Sequence, residues 1–79
     1  MVVKVLGKGC SKCRLLASRL EKVRSKYELD FKLEKVTDME EILAYGVILT
    51  PALVINEVVK SAGRIPGEED LLEFLRECT

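Results

Sequence analysis

A short apolar strand that breaks at glycine and hands over to an amphipathic helix carrying two cysteines sets the tightest constraint on this chain. Val2, Val3, Val5 and Leu6 form a nearly continuous apolar run, as in a strand buried on both faces, and Gly7-Lys8-Gly9 interrupts it. From Ser11 on, Leu16, Leu20, Val23 and Tyr27 recur at steps of four, three and four, the spacing of one helical face. Cys10 therefore falls at or just before the first helical turn, with Cys13 about one turn further in.

Two thiols at that spacing can close a local disulfide. The unsatisfied N–H groups and positive dipole end of the helix start favour the charge on a thiolate. Lowering a thiol pKa from about 8.5 to about 7 raises the thiolate fraction at pH 7 from roughly 3% to about half, for roughly 2 kcal/mol of differential stabilisation. Attack itself gains only about threefold to fourfold, because nucleophilicity falls with pKa. The larger gain is a better leaving group, with a neighbouring thiol that resolves a mixed disulfide without a second collision. Lys8 and Lys12 flank Cys10 and are candidates for tuning its thiolate, although exposed lysines also serve simply as solvated surface.

The 79 residues, 48% of them hydrophobic, suit one domain over 1–79 with one compact core. The sequence has no run of eighteen apolar residues and no basic start followed by an apolar segment and cleavage site, so a cytoplasmic protein without membrane contact is expected. In a reducing cytosol a Cys-x-x-Cys pair is more often catalytic or metal-binding than a structural staple. Net charge is zero but unevenly spread: Lys4, Lys8, Lys12, Arg14, Arg19, Lys22, Arg24 and Lys26 stand against Glu21 alone in residues 1–26. No nucleic-acid motif or aromatic cluster accompanies them, so the basic helix reads as a solvated face that weakly steers acidic partners, with no nucleic-acid role.

Leu29, Phe31 and Leu33 alternate with Asp30, Lys32 and Glu34, which predicts a strand over 29–36 with one buried face and a charged face suited to a sheet edge. Asp38, with Glu41 three residues on, reads as the N-cap of a short helix through Ile42, Leu43 and Tyr45 that Gly46 ends. Ala52-Leu53-Val54-Ile55 is a fully apolar strand, and Asn56-Glu57 turns it into a hairpin with Val58, Val59 and Lys60. After Pro66-Gly67 the last helix buries Leu71, Leu72, Leu75 and Cys78, and Cys78 reads as a small core residue. The order βαβαββα predicts an α/β fold: a parallel first pair, an antiparallel hairpin, and a four-stranded mixed sheet flanked by helices.

Pro51 directly precedes the most apolar strand, although proline lacks the N–H a strand uses. A turn there lies beside the end of the first strand, close to the cysteines. A cis bond would expose the Thr50 backbone to an extended substrate segment. Val3-Lys4-Val5-Leu6-Gly7, Gly9-Cys10-Ser11-Lys12-Cys13, Tyr45-Gly46-Val47, Thr50-Pro51-Ala52-Leu53-Val54-Ile55-Asn56 and Gly63-Arg64 together make the chain resemble the small redox-active disulfide proteins of the thioredoxin-like superfamily, of glutaredoxin size. The resemblance covers essentially the whole chain. It implies a thioredoxin-like fold, Cys10 as nucleophile, Cys13 as resolving thiol and Pro51 as the cis-proline beside them. Gly9 stands where thioredoxins usually carry Trp, Ser11-Lys12 replaces their Gly-Pro, and the Cys-Pro-Tyr-Cys and Thr-Val-Pro signatures of dithiol glutaredoxins are missing.

The expected activity is dithiol–disulfide oxidoreduction on protein or small-molecule disulfides, with Cys10 and Cys13 catalytic, Thr50 and Pro51 binding substrate, and no metal or organic cofactor. A thiol or flavoprotein would supply electrons to a monomer. Two alternatives use the same residues. Thiolate pairs suit Cu(I), so a metal carrier is one, although such domains place Met where this chain has Lys8 and end on a strand. A non-catalytic, redox-sensing partner-binding module is the other.

Overall fold

The computed structural model describes residues 1–9 and 11–77; Cys10, Cys78 and Thr79, and with them the expected burial of Cys78, lie outside that description. The elements run β1 (Val2–Leu6), α1 (Ser11–Lys26), β2 (Lys32–Val36), α2 (Met39–Ala44), β3 (Ala52–Ile55), β4 (Val58–Ala62) and α3 (Glu68–Glu77). This is the expected order. The strands form one mixed sheet, β2-β1-β3-β4, with β1 parallel to β2 and both other pairs antiparallel. Among the described residues no helix is long and apolar enough to cross a membrane.

The central strands are apolar on both sides because each side has its own cover. Val3, Val5, Leu53 and Ile55 meet Leu16, Leu20, Val23, Leu71 and Leu75 of α1 and α3, whereas Leu6, Ala52 and Val54 meet Val36, Ile42 and Val47. Lys4 points to the second side without leaving its charge unpaired. Its Nζ donates to the Tyr45 hydroxyl at 2.8 Å and to Glu57 Oε1 at 2.9 Å, and that hydroxyl donates to Glu57 Oε2 at 2.9 Å. Hydrogen bonding to Glu57, then to Tyr45, holds the Lys4 ammonium above the usual lysine range, and the bond from Lys4 holds Glu57 below the usual carboxylate range. The chain just past α2 is thereby tied to β1 and to the β3–β4 turn.

Three boundaries differ from the sequence reading. β2 begins at Lys32 rather than Leu29, because α1 closes with Glu28 N–H donating to Ser25 O at 3.4 Å and Leu29 N–H to Arg24 O at 2.9 Å, with Glu28 at φ 51°. That nested pair is a Schellman closure with glutamate in the position glycine usually takes, and the chain then runs through 29–31 before pairing starts. Tyr27 consequently lies past the helix end, exposed, rather than on its buried face. The short helix ends at Ala44 with Tyr45 as its C-cap and Leu43 exposed, although Asp38 caps its start as expected, accepting from Glu40 N–H at 3.0 Å.

β4 runs to Ala62 rather than stopping at Lys60. Asn56 and Glu57 both take positive φ (49° and 69°), the combination of a type I′ hairpin turn. Val58 and Val59 then lie opposite Ile55 and Val54, but the next partners are Leu53↔Ser61, which leaves Lys60 bulged out of the ladder and 3.4 Å from Glu77 Oε2. Ser61 shares the α1–α3 side with Leu53. It is 8% exposed, and its Oγ has no hydrogen-bond partner among the described residues. Removing an unsatisfied buried hydroxyl relieves a desolvation cost, so Ser61→Ala is expected to stabilise the fold by about 1 kcal/mol, or about 4–8 °C in thermal unfolding. A lower midpoint in the variant would show that the hydroxyl has a partner in solution.

Candidate active site

The C-terminal end of β1, the first turn of α1 and the loop into β3 converge on Gly7. Its N–H donates to Val36 O at 2.9 Å, which carries the β1–β2 pairing one residue past the strand. A Cβ at this position would overlap Cys13 Sγ and stand 3.6 Å from the Cβ of Thr50, so the sulfur occupies space that any side chain would need. Two residues on, Gly9 takes φ 79° as the backbone turns into α1.

Cys13 lies in the first turn of α1 and is only 6% exposed. Thr50-Pro51 is a cis peptide, Pro51 is fully buried, and its carbonyl accepts from Gly63 N–H at 2.9 Å. Cys13 and Thr50, distant in sequence, thus meet across Gly7. Cys10, one residue before α1, is outside the described residues. Lys8 and Lys12 are exposed on either side of it in sequence, and the first turn of α1 contains no acidic residue to offset its positive end.

Two features escaped the sequence reading. Ile48 and Leu49, immediately before Thr50, are 88% and 65% exposed, and Leu49 packs so closely over Gly63 that a Cβ there would lie 2.8 Å from its own. Adjacent to Cys13 there is also a cavity of about 170 Å3, lined by Val5, Gly7, Gly9, Cys13, Arg14, Lys35 and Thr37. A signal for it was present: Lys35 has the parity of Phe31 and Leu33 and breaks the apolar alternation of its strand. In the ladder Lys35 lies opposite Val5, on the α1 side of the sheet, yet its side chain is exposed.

The mixed sheet thus sets the end of β1 and the cysteine-bearing first turn of α1 beside a cis-proline turn. The family model of the thioredoxin domain matches residues 1–76. Thioredoxin of Methanocaldococcus jannaschii is 33% identical over 76 residues, covering 96% of this chain and 87% of that protein. Thioredoxin of Methanothermobacter thermautotrophicus is 27% identical over 75 residues, covering 95% of this chain and 97% of that protein. Among solved structures, thioredoxin-2, a component of malaria parasite protein secretion machinery, is similar with a TM-score of 0.73 at 17% identity, over 96% of this chain and 81% of that one, a likeness of fold alone. The chain belongs to the thioredoxin family. Its general activity is thiol–disulfide oxidoreduction.

Proposed function

We propose that Cys10 and Cys13 are the redox pair and that the protein reduces or exchanges disulfides of proteins or small molecules through them. The Cys10 thiolate attacks one sulfur of the substrate, forming a mixed disulfide and expelling the first product thiolate. Cys13 then attacks Cys10 Sγ, which breaks the mixed disulfide and releases the second thiolate. Two electrons pass from the dithiol to the substrate. The protein is left with an intramolecular disulfide that an external thiol or flavoprotein reduces. Lys8 and Lys12 add positive charge beside Cys10, and the Thr50 backbone aligns an extended substrate segment at the cis-proline, with Ile48 and Leu49 offering apolar contact. The reaction needs no metal or organic cofactor from the protein, and residues 1–79 act as one domain, a monomer in the cytoplasm.

The observation that carries this reading is the meeting of Cys13 and Thr50 over Gly7, which brings the helix start and the cis-proline turn to one point. Equilibration with glutathione and dithiothreitol buffers tests it. A potential of roughly −200 to −270 mV is expected, the span of glutaredoxins and thioredoxins. A pair far more reducing than the cytosolic poise would stay oxidised, and the protein would be a sensor or binding module instead.

A further inference from the structure

We infer that the cavity beside Cys13 is a subsite for a carboxylate on the disulfide substrate, so that among small disulfides the protein favours those with a negative charge a few bonds from the sulfur. The inference rests on the redox role proposed above and names the class of substrate for it. Four observations point the same way. Cys13, the proposed resolving thiol, lines the cavity together with Gly7 and Gly9. Its volume of about 170 Å3 exceeds that of a single water, which takes about 30 Å3, by enough to admit a carboxylate with its stem. Two cations, Arg14 and Lys35, line it together with Thr37, and among the described residues no carboxylate does.

The fourth is the placement of Lys35. Its strand position belongs by parity to the apolar side of the sheet, yet its side chain is exposed, and no ion pair to it exists among the described residues. The nearest charges along the chain do not neutralise it: Glu34 is on the opposite side of the strand and pairs with Lys32 at 3.5 Å, while Asp38 caps α2. Arg14 is oriented by donating from Nε to Gly9 O at 3.3 Å. A lysine, an arginine and a hydroxyl lining one largely apolar cavity suit a small anion on an apolar stem rather than a cationic group.

Single-turnover oxidation of the pre-reduced protein with two probes provides the test, in a Cys78→Ser background so that only the pair reports. The probes are 5,5′-dithiobis(2-nitrobenzoate), which carries a carboxylate on each ring, and neutral 2,2′-dithiodipyridine. Each molecule takes two electrons from the dithiol and leaves as two thiols, with an intramolecular disulfide on the protein. The quantity read is the ratio of the anionic to the neutral rate constant, since any change in thiolate content moves both rates together. Lys35→Gln and Arg14→Gln are each expected to lower that ratio about fivefold, as expected for one charge pair at partly exposed distances. Lys22→Gln, which alters charge on α1 away from the cavity, should lower it by less than a factor of 1.5. An unchanged ratio in both cavity variants, or an equal fall in Lys22→Gln, overturns the subsite while leaving the redox pair intact. Failure of the proposed function looks different: both cysteines then retain probe as separate mixed disulfides, no intramolecular disulfide forms, and the subsite falls with it.

Discussion

Cys10→Ser is expected to reduce disulfide turnover to below about a thousandth of wild type, whereas Cys13→Ser stops the reaction one step later and leaves a trapped intermediate. Serine at position 10 presents a hydroxyl that does not ionise near neutral pH, so the attack that starts the cycle has no nucleophile. Losses on that scale are usual when an enzyme loses the atom that forms its covalent intermediate. With Cys13 replaced, attack by Cys10 proceeds but nothing resolves the product, so mass spectrometry should show one substrate half bound per protein. An insulin or small-disulfide reduction assay on the three proteins reads both effects. Equal activity in all three would reject the assignment of either cysteine.

The second large effect is expected at a residue with no reactive group. In Gly7→Ala the new methyl and Cys13 Sγ would claim the same space, and Thr50 closes the other side with its Cβ 3.6 Å away. Neither neighbour can retreat cheaply, since Cys13 is held in the first turn of α1 and Thr50 precedes the buried Pro51. Overpacking of this kind costs about 1–3 kcal/mol, and in a chain this short each kcal/mol lowers the unfolding midpoint by about 4–8 °C. Activity should fall further than stability, because relief of the clash displaces the groups proposed to hold the substrate. The double variant Gly7→Ala/Cys13→Ala should regain part of the lost stability, a non-additivity that ties the effect to this one contact. A Gly7→Ala protein with wild-type midpoint and turnover would show that the two sites are further apart in solution.

How much of this was readable in the chain depended on whether one residue's setting decided its role. β1 and β3 were legible because both of their faces are covered, which leaves short, nearly continuous apolar runs, and Gly7 after one and Pro51 before the other mark them as strands. The approach of Thr50-Pro51 to the Cys13 region was expected from element order, and it holds because β3 runs antiparallel to β1, which sets Ala52 opposite Leu6 at the end of β1. The start of β2 was hidden by Glu28, a residue that gives no warning of a left-handed backbone, and the end of β4 by a bulge that interrupts the alternation on which strand reading relies. The exposure of Ile48 and Leu49 had no signal in the sequence, since large aliphatic side chains carry no mark of whether they face core or solvent.

The bulge at Lys60 has an implication for how this hairpin tolerates change in length. Because Ser61 is already opposite Leu53 and Ala62 opposite Ala52, β4 carries one residue more than its partner needs. A chain lacking Lys60 would keep every inward and outward assignment of the strand and forgo only the contact with Glu77. The outer edge of the sheet is thus a place where a single-codon deletion preserves the parity of all that follows, whereas the same deletion within β3 would turn core side chains towards the wrong layer.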